Sequence, residues 1–130
     1  YVQQKGWEQI PDLPSAVAAA PSPAYFTANK LMVFGGDDGV LAPKGAELKE
    51  NHPGFSKQIL AYDLLKNNWN NIEAIATNKK EDAAKNPNAS IWAPVTTTLT
   101  LWNGNIVLPG GEVRPATRTP NVLIAKTAKN

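Results

Sequence analysis

At 130 residues, 42% hydrophobic and 18% charged with a net charge of +2, the chain suits one modest domain with its own core. That composition excludes a disordered chain, the scattered lysines argue against nucleic acid, and no apolar run approaches the roughly 20 residues of a membrane-spanning helix. The absence of cysteine removes disulfides, thiol catalysis and thiolate metal ligands, while leaving the compartment open.

Taken in order, Trp7-Glu-Gln-Ile-Pro-Asp-Leu-Pro14 reads as a short strand closed by two prolines. Residues 16–28 are small and apolar, broken by Pro21 and Pro23, and are expected to be extended. Residues 31–34 form a strand ending at Gly35-Gly36, and residues 37–57 a long polar loop. A strand at 58–63, an asparagine turn at Asn67-Asn68 and a strand opening at Trp69 follow. After a second polar loop at 77–90, residues 92–102 are β-rich, and Asn103-Gly104 marks a tight hairpin turn. Residues 106–108 form a strand ending at Gly110-Gly111, which sets Glu112, Arg114 and Arg118 in a loop before a last strand at 121–125. Helix signals are weak throughout, so the expected class is all-β. No leader pattern is visible from Tyr1, so the sequence reads as a mature chain, one relieved of a leader, or part of a longer protein.

Two stretches share one form. Lys30-Leu-Met-Val-Phe-Gly-Gly-Asp-Asp-Gly39 and Asn105-Ile-Val-Leu-Pro-Gly-Gly-Glu-Val-Arg114 each run a short strand into a double glycine and then an acid, at an offset of 75 (110 − 35). Trp69-Asn-Asn-Ile72 likewise echoes Trp7-Glu-Gln-Ile10, and both tryptophans are expected in the core. The unit is an antiparallel meander of four strands, the form of one propeller blade.

On Val33-Phe-Gly-Gly36, Tyr62-Asp63, Asn67-Asn68, Trp69 and Gly110-Gly111 the chain resembles the kelch-repeat β-propellers. Residues 1–130 then make a two-blade segment, with one blade at about 16–75 and another at about 91–125. The second is completed by the strand near 7–10 or by a partner. Two blades cannot close a ring of about four or more, so other copies, or the remaining blades of a longer chain, are expected partners.

Within that family, Gly110-Gly-Glu-Val-Arg-Pro-Ala-Thr-Arg-Thr-Pro120 is similar to a segment of the N-acetylneuraminate epimerases, or sialic acid mutarotases. Phe34-Gly-Gly-Asp-Asp-Gly39, His52-Pro-Gly-Phe55, Ile59-Leu-Ala-Tyr62 and Ala93-Pro-Val-Thr-Thr97 resemble a cyclically permuted branch of that family. The resemblance implies a roughly six-bladed propeller, an isomerase of carbohydrate metabolism that needs no cofactor, and a periplasmic or secreted location. It implies Glu112 as proton acceptor, Arg118 as a catalytic partner that holds the substrate, and Arg114 in support.

The residue types suit that chemistry. Anomer exchange removes a proton from the anomeric hydroxyl and delivers one to the ring oxygen, for which a carboxylate within hydrogen-bond reach can serve as base. The planar fork of an arginine fits the sugar's own carboxylate. The bland alternative for Glu112 and Arg118 is a solvated ion pair worth little to stability. Asp37 and Asp38 hold the equivalent place in the earlier repeat, either binding sugar hydroxyls or making turn chemistry. Their loop is expected to approach that of Glu112. His52, the single histidine, is either a substrate-binding residue or an exposed loop residue. Trp92, Thr96 and Thr98 read as blade packing before sugar contacts. With one histidine and no spaced calcium-loop acids, no metal site is expected. The rival from another class is a non-catalytic kelch module that binds a glycan or a protein through its loop face.

Overall fold

The computed structural model describes residues 6–126. The chain is mostly β and forms two antiparallel sheets. The first orders β1 (Tyr25–Thr27), β2 (Lys30–Phe34), β3 (Gln58–Asp63) and β4 (Asn68–Ala74) as a meander. The second orders β5 (Thr100–Trp102), β6 (Asn105–Arg114) and β7 (Thr117–Ala125) in the same way.

Equivalent turns start the two meanders. Ala28 and Asn29 join β1 to β2 with φ of 46° and 63°, and Asn103 and Gly104 join β5 to β6 with φ of 49° and 74°. Two successive residues with positive φ give the hairpin connection whose twist matches its strands. Period-two alternation then assigns the faces. Met32 pairs with Ala61 and Phe34 with Ile59, so this row faces the second sheet. There Ile106 and Leu108 meet it, with Leu99, Ile75 and Ala93 closing the core. Burying each large aliphatic side chain here contributes about 1.5–3 kcal/mol. A smaller cluster of Ala83, Trp92 and Val113 sits under the two long loops.

Several expectations need correcting. Residues 7–10 form no strand, and Trp7 is 89% exposed rather than in the core. The second sheet has three strands among the described residues. At Pro11 the chain lies beside the first sheet, where Trp69 donates from Nε1 to the carbonyl of Pro11 at 2.8 Å. Trp69 is half-buried, its ring 5.4 Å from that of Tyr62. The chain is not purely β, because the first long loop coils through Ala42–Lys44, Gly45–Leu48 and Lys49–Asn51 in short helical turns. In the β-rich run only Thr100–Trp102 is a strand. Before it, Pro94 lacks a donor N–H and Thr96 takes a φ of 51°, so pairing there is reduced to isolated bridges.

Those bridges define an inner layer. Segments 17–22 and 94–99 run side by side and parallel, with Thr96 N–H donating to Ala19 O at 2.8 Å and Leu99 N–H to Ser22 O at 2.9 Å. Each is also bridged to the residue that follows its own double glycine.

Candidate functional site

The double glycines set the acids. At Gly36, with φ of 97°, an added Cβ would come within 2.6 Å of Val17 Cγ1 and 3.2 Å of Ala18 O. At Gly111, with φ of 116°, it would come within 2.8 Å of Val95 O and 2.9 Å of Pro94 Cβ. Only a residue without a side chain lets the inner segment come this close. The next residue in each case is then bridged to that segment. Asp37 exchanges two 2.8 Å backbone hydrogen bonds with Ala18, and Glu112 exchanges bonds of 2.8 and 2.9 Å with Val95.

Glu112 does not stand in a loop, as the sequence suggests. β6 continues through Gly110-Gly111 to Arg114 because register shifts between Pro109 and Gly111 and between Glu112 and Arg114 absorb the irregular backbone. The residues expected to form the loop are thus the two arms of a bulged hairpin. Glu112 lies directly opposite Arg118 of β7, where paired Cβ atoms stand about 5 Å apart. Glu112 is half-buried and Arg118 is exposed. Glu112 Oε1 accepts a 3.3 Å hydrogen bond from Ala116 N–H, which spans the hairpin turn.

Arg114 departs from its expected substrate-binding role. It is buried, and its guanidinium donates from Nη1 to Glu50 O at 2.9 Å and Ala83 O at 3.1 Å. Nη2 donates to Ala84 O at 3.0 Å and Nε to Thr117 Oγ1 at 3.2 Å. With most of its donors spent on main-chain carbonyls of both long loops, the side chain is a fastener, not a free cation.

Asp37, Asp38 and His52 do come together. They line one recess of about 320 Å³, with Phe55 and Ser56 also on its wall. Asp37 Oδ1 accepts from Gly39 N–H at 2.9 Å and Asp38 Oδ1 from Val40 N–H at 3.0 Å, so each carboxylate uses one oxygen in a local turn. His52 is not an exposed loop residue: only 5% of it is accessible. Its Nδ1 accepts from Gly54 N–H at 3.1 Å, which places the ring proton on Nε2. Phe55, which the sequence reading left without a role, stands with its ring centroid 5.4 Å from that of His52. Its place in the His52-Pro-Gly-Phe55 motif was the available signal.

The loop carrying these residues does reach the second sheet. Glu50 O meets Arg114, and a Cβ at Gly54 would fall 3.4 Å from Val113 O and 2.9 Å from Trp92. Trp92 is buried with its Nε1 bound to Pro87 O, a packing position, while Thr96 and Thr98 are exposed. A second cavity, about 290 Å³ between the sheets, is lined chiefly by Phe34, Ile59, Ile75, Ile106, Leu108 and Leu123. It is the apolar seam of the core and offers no cluster of polar groups. Among the described residues no group of three or more histidine or carboxylate side chains is placed to hold a metal ion.

Compared with known proteins, the chain matches no protein-family model and no curated protein.

Proposed function

We propose that the chain is a two-blade kelch-type propeller segment that acts on sialic acid as a mutarotase, without a cofactor. Glu112 takes the anomeric proton, and Arg118 grips the sugar carboxylate through paired hydrogen bonds. The observation that carries this reading is the direct cross-strand pairing of Glu112 with Arg118. It stands a carboxylate and a guanidinium side by side on a bulged hairpin, the two groups that this reading needs. Arg114 takes no part in substrate binding in this scheme, because its donors are already engaged.

The blade reading is supported by the repeated inner bridge, Ala18 to Asp37 and Val95 to Glu112. Met32 and Phe34 face the neighbouring sheet, and their repeat partners Val107 and Pro109 face away from it. Val122, paired with Pro109, is 62% exposed. We take that outward face as the seat of a further blade, from another copy or from a longer chain.

The test is anomer exchange of N-acetylneuraminate followed by proton NMR. Glu112→Gln is expected to slow it about 100-fold, and unchanged exchange removes Glu112 from the mechanism. The Oε1 contact to Ala116 N–H favours a second reading, in which Glu112 braces a turn and the module only binds its ligand. Calorimetric binding of the sugar without faster exchange selects that alternative.

A further inference from the structure

We propose that the recess lined by Asp37, Asp38 and His52 is a subsite for a neutral polyhydroxyl group, namely the polyol arm of the sugar acid. The identity of that arm rests on the reading of Glu112 and Arg118 given above. The existence of a polyol subsite does not.

The charge pattern selects the ligand class. Two carboxylates line the recess, and neither lysine nor arginine does. An anion is repelled there, whereas hydroxyl groups meet matched acceptors. Each carboxylate holds one turn N–H through Oδ1, which leaves the second oxygen and further lone pairs unused.

His52 provides an independent observation. Its Nδ1 is engaged by Gly54 N–H, and Nε2 has no hydrogen-bond partner among the described residues. Every fully enclosed side-chain nitrogen and oxygen among the described residues has a partner. The unpaired Nε2–H must therefore keep the small accessible area that this 5%-exposed side chain has, and the recess is the open space that His52 lines. A buried ring with one unpaired donor thus lines the same recess as two carboxylates.

One hydroxyl of a vicinal pair can donate to a carboxylate while its neighbour accepts from Nε2–H. The Phe55 ring beside His52 supplies an apolar wall for the C–H face. A metal ion is a poorer occupant, since no ligating group of three forms here among the described residues.

The position relative to Glu112 suits one extended ligand. Backbone hydrogen bonds run from Asp37 to Ala18, from Ala19 to Thr96 and from Val95 to Glu112. That is three strand spacings, about 14–16 Å between the two acids along the ladder. Asp37 and Glu112 are thus bridged to the same pair of inner segments.

The test uses the full chain and the ring signals of His52, the only histidine and hence unambiguous in NMR. The probes are D-glucitol, N-acetylneuraminate and an analogue of it with the polyol arm shortened. The subsite predicts that glucitol and the intact sugar move the His52 signals, that shortening the arm weakens the response about tenfold, and that Asp38→Ala weakens the glucitol response similarly. Signals unmoved by glucitol, or equal responses to intact and shortened sugar, overturn it, even if Glu112-dependent exchange is intact. A response to glucitol with none to the sugar acid supports the subsite and defeats the sialic acid reading instead.

Discussion

The carbonyl of Ala19 accepts a 2.8 Å hydrogen bond from the N–H of Thr96, and both residues hold left-handed backbone angles, with φ of 55° and 51°. They lie 77 residues apart (96 − 19), and each follows the residue that bridges to an acid after a double glycine. A β-branched residue in that region is uncommon and strained. That both segments adopt it at equivalent places shows the inner layer to be one device built twice. The strain is held by the bridges on either side, Ala18 to Asp37 and Val95 to Glu112.

The closeness of the inner segments to the double glycines sets a stability test. Gly36→Ala and Gly111→Ala each introduce a clash under 3.0 Å and a strained positive φ. We expect losses of about 3 kcal/mol in urea unfolding. Gly104→Ala has an added Cβ with no atom within 4 Å and carries only the strain of its φ of 74°, so about 1 kcal/mol is expected there. Equal losses at all three positions would show that crowding by Val17 and Pro94 contributes nothing.

Arg114 should behave as a structural residue. Arg114→Met leaves the carbonyls of Glu50, Ala83 and Ala84 without this donor, and a loss of about 3 kcal/mol is expected in chemical denaturation. Arg114→Lys should recover little, because a point ammonium cannot serve three separated carbonyls and Thr117 Oγ1 as the planar fork does. Full stability in the lysine variant would contradict this.

Arg118 is exposed and opposite Glu112, so its removal should spare the fold. On the proposed function, Arg118→Ala raises KM for N-acetylneuraminate exchange at least about tenfold, and Arg118→Lys restores part of it. An unaltered KM in the alanine variant would separate the arginine from the substrate carboxylate.

Asp63 supplies a pH dependence. Its carboxyl is held below the ordinary range chiefly by the N–H of Lys66, with the N–H of Leu65 and the charges of Lys66 and Lys30 adding to the effect. A lowered folded-state value means that the ionised form is the one favoured by folding. Its contribution is therefore complete above the unfolded value, about 3.9, and fades as pH falls through the lower folded value. Asp63→Asn should flatten the acid limb of the stability profile while leaving its shape above pH 6 unchanged. An identical acid limb in the variant would exclude the turn as its source.

Much of the strand order was legible because period two and turn chemistry are local. Gln58–Asp63 appears where the sequence places it, and Asn103-Gly104 turns as its residues demand. The pairing of Glu112 with Arg118 was not legible, since a double glycine reads equally as a strand end or a bulge, and the choice depends on the inner segment packed beside it. Trp7 misled for a related reason: it repeats the pattern of Trp69, but its side chain is 89% exposed. The burial of His52 and the engagement of Arg114 arise from contacts as much as 64 positions apart, beyond any local pattern.

Arg114 binds the two long loops only through the backbone oxygens of residues 50, 83 and 84. Main-chain carbonyls are present whatever side chain stands there. Substitutions at Glu50 and Ala84, which are not fully buried, can thus accumulate without loosening either loop. The fastening constrains the arginine and the course of the backbone, while the sequences it fastens are left free to drift.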